Sequence, residues 1–129
     1  MANVLNHLAG VYEDRGELEQ AVKLYQRSVK VMEKIEDGRE VELLRVQSLT
    51  GLALVFRAQG RYREAEPLFL QALLRAKKSF GPGDLEVSVV LNNLAVLYKY
   101  TGRFIEAGRL YRRALANGSP RRILPTSAF

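Results

Sequence analysis

Five sets of residues recur along the chain in one register, and that recurrence limits the fold more than any compositional value. Gly16, Gly60 and Gly102 are spaced by 44 and 42 residues. Ala9, Ala53 and Ala95 keep the same two offsets, as do Ala21, Ala65 and Ala107. Tyr12, Phe56 and Tyr98 form a fourth column; Tyr25, Phe69 and Tyr111 form a fifth. A register shared by five columns implies a unit that buries its apolar face by stacking on its own copies.

The unit is clearest from Leu91 to Leu115, LNNLAVLYKYTGRFIEAGRLYRRAL. It reads as two short amphipathic helices joined at Thr101-Gly102-Arg103. Spacings of three and four put Leu91, Leu94, Ala95 and Tyr98 on one stripe of the first helix. The same rule puts Ala107, Leu110, Tyr111, Ala114 and Leu115 on the buried stripe of the second. The stretch recurs from Leu49 to Leu73 and from Leu5 to Val29. Each column has a steric reason. The alanines belong where two helices cross closely, the aromatics fill the wider gap between hairpins, and each glycine ends a first helix in a left-handed turn.

The links fit the same scheme. A helix ending near Glu36 is followed by Asp37-Gly38 and a long helix from Arg39 through Arg57. A helix ending near Phe80 meets Gly81-Pro82-Gly83, and Asp84 is an N-cap for the next. Pro67 falls in the first turns of its helix, where proline is tolerated. The copies are expected over about residues 2–36, 39–79 and 84–117, giving an array over 1–118 and an irregular tail over 119–129. Neither terminal copy carries a polar capping helix. That predicts either a fragment of a longer array or a chain that pairs through its ends.

Composition narrows the function. The 129 residues are 47% hydrophobic and 26% charged, values of a folded globular chain. No apolar run approaches the roughly 20 residues of a membrane span, and the N-terminus lacks the pattern of a secretory signal. There is no cysteine, so disulfides and thiolate chemistry are excluded; a reducing, cytoplasmic setting is the expectation. His7 is the only histidine, so any metal site would be all oxygen. No catalytic residues, metal or cofactor are expected. The net charge of +6 is uneven: residues 1–44 hold nine acidic and six basic side chains, and residues 45–129 hold five and fourteen. Arg103, Arg109, Arg112, Arg113, Arg121 and Arg122 make a basic C-terminal region that could attract phosphate. No nucleic-acid motif accompanies them.

The pattern Leu-x-x-Leu-Ala-x-x-Tyr, then Gly, then Ala-x-x-x-Tyr-x-x-Ala-Leu, resembles the tetratricopeptide repeat. LNNLAVLY at Leu91–Tyr98, EAEPLF at Glu64–Phe69 and FGPGD at Phe80–Asp84 resemble the 42-residue form found in kinesin light chains and nephrocystin-3-like proteins. Three residues depart from it: Ser28 stands at an alanine position, Gly108 lies within a helix, and Leu85 replaces a common proline. The resemblance implies an all-α, right-handed α-solenoid of three antiparallel helix-turn-helix hairpins, six helices in all. It also implies a non-enzymatic scaffold whose first helices line a concave groove for a short peptide.

The stripe of each first helix left free by packing names the candidate groove. In the third copy it holds Val89, Asn92, Asn93, Val96, Lys99 and Tyr100. In the second it holds Gln47, Thr50, Gly51, Leu54, Arg57 and Ala58, and in the first Asn3, Asn6, His7, Gly10, Glu13 and Asp14. Asparagine offers two donors and an acceptor to an extended backbone. Arg57 and Lys99, at matching offsets, suit an acidic side chain or a C-terminal carboxylate. Glu13 and Asp14 reverse the sign in copy one, so the groove runs from negative to positive. The site residues are therefore Asn6, His7, Gln47, Thr50, Arg57, Asn92, Asn93, Val96, Lys99 and Tyr100. The expected partner is a protein or peptide with an acidic segment, and not a small-molecule substrate, a membrane or a nucleic acid. The alternative is a homo-oligomer joined through uncapped ends or through a tail lying in a neighbour's groove.

Overall fold

The computed structural model describes residues 1–34 and 38–117. They form six helices: α1 (Ala2–Asp14), α2 (Leu18–Met32), α3 (Arg39–Ala58), α4 (Tyr62–Phe80), α5 (Leu85–Tyr100) and α6 (Phe104–Asn117). There is no strand among the described residues. α1 pairs with α2, α3 with α4 and α5 with α6, and successive hairpins stack through α2 on α3 and α4 on α5. First helices also touch, α1 on α3 and α3 on α5. The result is an all-α solenoid with one continuous core.

The repeated columns do the work their chemistry predicts. The alanines at 9, 53, 95, 21, 65 and 107 are all buried, which lets the paired helices approach closely. Phe56, Tyr98, Tyr25 and Phe69 are buried between hairpins, while Tyr12 and Tyr111, in the outer copies, are only half-buried. Gly16, Gly60 and Gly102 adopt φ of 79°, 77° and 81°. In each turn the next residue reaches back five positions: Glu17 N–H to Tyr12, Arg61 to Phe56 and Arg103 to Tyr98, each at 2.8 Å to the carbonyl oxygen. That bond, with the glycine's own to Glu13, Arg57 or Lys99, is the Schellman closure.

The links differ slightly from the pattern expected. α3 begins at Arg39 as expected and runs to Ala58. Asp84 caps α5, its carboxylate accepting from Glu86 N–H at 2.9 Å. α2, however, stops at Met32 rather than near Glu36. The Arg45 guanidinium takes the Met32 carbonyl, with Nη2 at 3.0 Å, so a side chain of α3 satisfies the end of α2. Ile35, Glu36 and Asp37 lie outside the described residues, as does the tail from 118 to 129.

The stripe on α6 needs a correction. Of Ala107, Leu110, Tyr111, Ala114 and Leu115, only Ala107 is buried, and Leu115 is 71% exposed. Its counterpart Leu73 is buried because α5 lies over α4. Among the described residues α6 packs only on α5, so no described helix covers that face.

Ser28, which departs from the repeated alanine, is buried and paired. Its hydroxyl lies 2.8 Å from that of Ser48, on α3, and 3.4 Å from the Ala2 carbonyl oxygen. Ser48 in turn donates to Asn6 Oδ1 at 3.0 Å. Ser48 occupies the position held by Val90 in the third copy, so two polar substitutions meet across one seam.

Candidate functional site

The C-terminal ends of α1, α3 and α5 lie side by side, because matching offsets put Glu13, Arg57 and Lys99 at one level of successive hairpins. Arg57 Nη1 donates to the Asn93 carbonyl of α5 at 2.9 Å, which fixes the guanidinium across the α3–α5 seam. Its Cζ lies 5.9 Å from the Tyr100 ring centre and 5.9 Å from that of Phe69. Lys99 Nζ is 5.9 Å from the same Tyr100 ring. Tyr62, at the start of α4, tilts at 48° against Tyr100 with ring centres 6.2 Å apart. Tyr100 itself is 56% exposed. An open aromatic face is thus flanked by two cations, contacts worth roughly 0.5–1 kcal/mol each at exposed positions.

The electrostatics follow from partial burial. Desolvation lowers the pKa of Arg57, against the opposing influence of Tyr100, Tyr111 and Glu13. Glu13 is raised, chiefly by burial and further by Asp14, although Tyr25 donates its hydroxyl to Glu13 Oε1 at 3.3 Å. Tyr25 is pushed up to about 12 by burial and by Glu13. At this level the side chains change from Glu13 and Asp14 on α1 to Arg57 on α3 and Lys99 on α5.

The expected site residues do not all converge. Arg57, Asn93, Lys99 and Tyr100 come together. Asn92 is exposed and lines, with Val89, Asn93, Tyr111, Ala114 and Leu115, an open cavity of about 710 Å³ between α5 and α6. His7 and Gln47 are exposed and Val96 is half-buried. Thr50 and Asn6 belong to the seams. Thr50 is 8% exposed, and Asn6 gives its carbonyl to Ser48. Gly51 is buried too, and a Cβ there would stand 2.4 Å from Tyr25 Cε1, so this position seats the ring of the preceding copy. Tyr62 was missed because it lies on a second helix; its aromatic type just after the turn glycine was the available signal.

The basic C-terminal region is partly occupied. Arg103 donates to Glu66 at 3.0 Å and to Glu106 at 2.7 Å, and its guanidinium stacks 3.9 Å from the Tyr98 ring centre. Those bonds, to Glu106 first and Glu66 second, raise its pKa. Arg121 and Arg122 lie outside the described residues. A further cavity of about 710 Å³ opens where α3 begins and α4 ends. On its wall Glu42 accepts from Arg45, from Arg75 at 3.2 Å and from Ser79 at 3.4 Å. Among the described residues no three His, Cys, Asp or Glu converge on one point, and no helix is long and apolar enough to cross a membrane.

Comparison with known proteins gives a consistent answer. Family models for the tetratricopeptide repeat match residues 43–117 and 1–36. The chain is similar to Protein KINESIN LIGHT CHAIN-RELATED 1 of Arabidopsis thaliana, at 27% identity over 88% of this chain and 18% of that protein. It is also similar to human Tetratricopeptide repeat protein 19, mitochondrial, at 30% identity over 74% of this chain and 24% of that protein. It therefore spans a quarter or less of these curated relatives. Among solved structures, BtubC (BKLC) from P. vanneervenii superposes with a TM-score of 0.76 at 22% identity, over 92% of this chain and 45% of that one. Repeats of this family generally mediate protein–protein interaction and are typically non-enzymatic scaffolds. With the paired helices, the glycine closures and the family match all in register, the chain belongs to the tetratricopeptide repeat family, in its kinesin-light-chain type.

Proposed function

We propose that the chain is a scaffold that holds an extended protein segment along its first helices, with an acidic side chain or C-terminal carboxylate at Arg57, Lys99 and Tyr100. The observation that carries this reading is the exposed Tyr100 ring with two cations, Arg57 and Lys99, each 5.9 Å from its centre. The Asn93 carbonyl holds Arg57 in place, so little side-chain entropy remains to be lost there on binding. Lys99 is exposed and can follow the ligand. A carboxylate would meet both charges while the ligand's apolar part covers the ring. Glu13 and Asp14 at the same level of α1 favour the opposite charge at the other end, giving the segment one direction.

Fluorescence anisotropy with labelled acidic and basic peptides of equal length tests the proposal. The acidic peptide should bind more tightly, and Lys99→Glu with Tyr100→Ala should weaken it about tenfold or more, roughly 1.4 kcal/mol. Equal affinity for the two peptides, or unchanged affinity in the variant, would remove the site from this end of the groove.

A further inference from the structure

The faces of the first and third hairpins that no described element covers are complementary in shape class and in charge. α1 exposes Val4, Leu8 and Val11, at 65%, 42% and 51%. The repeat offsets place these at Ser48, Leu52 and Val55 of α3, and at Val90, Leu94 and Leu97 of α5. All six counterparts are buried, at 5% or less, in helices that pack on a preceding hairpin. The other face is the cavity between α5 and α6, lined by Asn92, Tyr111, Ala114 and Leu115. Their counterparts Asn6, Tyr25 and Ser28 meet α3: Asn6 and Ser28 bond Ser48, and the Tyr25 ring lies over Gly51. One end thus presents the helix face that every internal seam inserts, and the other presents the face that every internal seam receives.

The charges agree. At the seam between the second and third hairpins, Arg103, just after the turn glycine, bonds Glu66 on α4 at 3.0 Å. In the first copy the position of Arg103 is Glu17, whose exposed carboxylate is held by Arg15 at 2.9 Å. In the third copy the position of Glu66 is Gly108, and the Arg112 guanidinium lies over it, 3.5 Å from where a Cβ would stand. Glu17 thus stands where the arginine was, and Arg112, one turn beyond Gly108, brings a cation beside the position of the acid, so attraction is kept. One level away, Glu13 of an incoming copy would face Lys99.

We infer that a second copy of this chain docks head to tail, Val4, Leu8 and Val11 of its α1 entering the α5–α6 face and Glu17 meeting Arg112. The contact is heterologous, so it repeats without closing at two subunits. Sedimentation velocity on the full chain over a concentration series tests this. The average mass should rise past that of a dimer. Leu8→Glu and Leu115→Glu, both at exposed positions, should each remain monomeric, with far-UV circular dichroism unchanged. Their equimolar mixture should form one heterodimer and stop, because each retains the face the other has lost. Glu17→Arg or Arg112→Glu should weaken association several-fold, and the two reversals together should restore it. A wild type that stays monomeric, growth that ends at a dimer, or a mixture that stays monomeric would each overturn the inference. The first of these outcomes is also what occupation of the α5–α6 face by residues 118–129 would give.

Discussion

Ser28 and Ser48 offer the sharpest test of how the first two hairpins are joined. Both are fully buried, and their hydroxyls are 2.8 Å apart, with Ser48 also serving Asn6 Oδ1 at 3.0 Å. Removing the Ser48 hydroxyl takes a partner from two groups at once. A buried polar group left unpaired costs about 1–3 kcal/mol, and the Ser28 hydroxyl keeps only the longer contact to Ala2, so Ser48→Val should cost about 2–3 kcal/mol. Ser28→Ala removes one bond while Ser48 keeps Asn6, so about 1 kcal/mol is expected. The double variant Ser28→Ala with Ser48→Val recreates the apolar pair seen at the next seam, where Ala72 and Val90 are buried. It should cost at least about 1 kcal/mol less than the sum of the single changes. Urea unfolding followed by far-UV circular dichroism gives all four stabilities. Costs that add within about 0.5 kcal/mol would show that the two hydroxyls do not depend on one another.

Other outcomes follow from particular positions. Gly102→Ala should lower stability by about 1–2 kcal/mol, because alanine must adopt the φ of 81° that closes the third turn; a raised thermal midpoint would contradict it. Gly51→Ala should lower the midpoint even though alanine favours a helix by about 1 kcal/mol, since its Cβ would stand 2.4 Å from Tyr25; calorimetry showing a gain would refute the close contact. Tyr25 has its folded pKa above the ordinary value of 10, at about 12. Its contribution is therefore complete below pH 10 and is lost as pH rises towards 12, by at most about 3 kcal/mol at some 1.4 kcal/mol per unit. Tyr25→Phe should make stability fall less steeply over that interval, and an unaltered slope would exclude Tyr25 as the titrating group.

Most of the fold was legible because the repeat writes each packing rule three times. Alanine at a crossing, an aromatic between hairpins and glycine at a turn are choices made by residue type alone. What escaped depends on which copy a residue occupies. Leu115 has the same type and spacing as Leu73, yet it is exposed because no described helix follows α6. Ser28 drew notice as a departure, but its partner Ser48 did not, since the two are joined across a seam. The candidate site was legible at Arg57, Lys99 and Tyr100 through matching offsets. Thr50 and Asn6 share that stripe but lie deeper, Thr50 buried and Asn6 bonded to Ser48 of the next first helix. Arg57's bond to the Asn93 carbonyl had no signal, because the acceptor is main chain.

The central claim is that this array holds a protein segment along its first helices. The direct measurement is a titration of isotope-labelled chain with the acidic peptide, read by amide chemical-shift changes. The account predicts shifts concentrated at Arg57, Asn93, Lys99 and Tyr100, with α2 and the outer face of α4 unmoved. Shifts confined to those second helices, with Tyr100 and Lys99 silent, would contradict it.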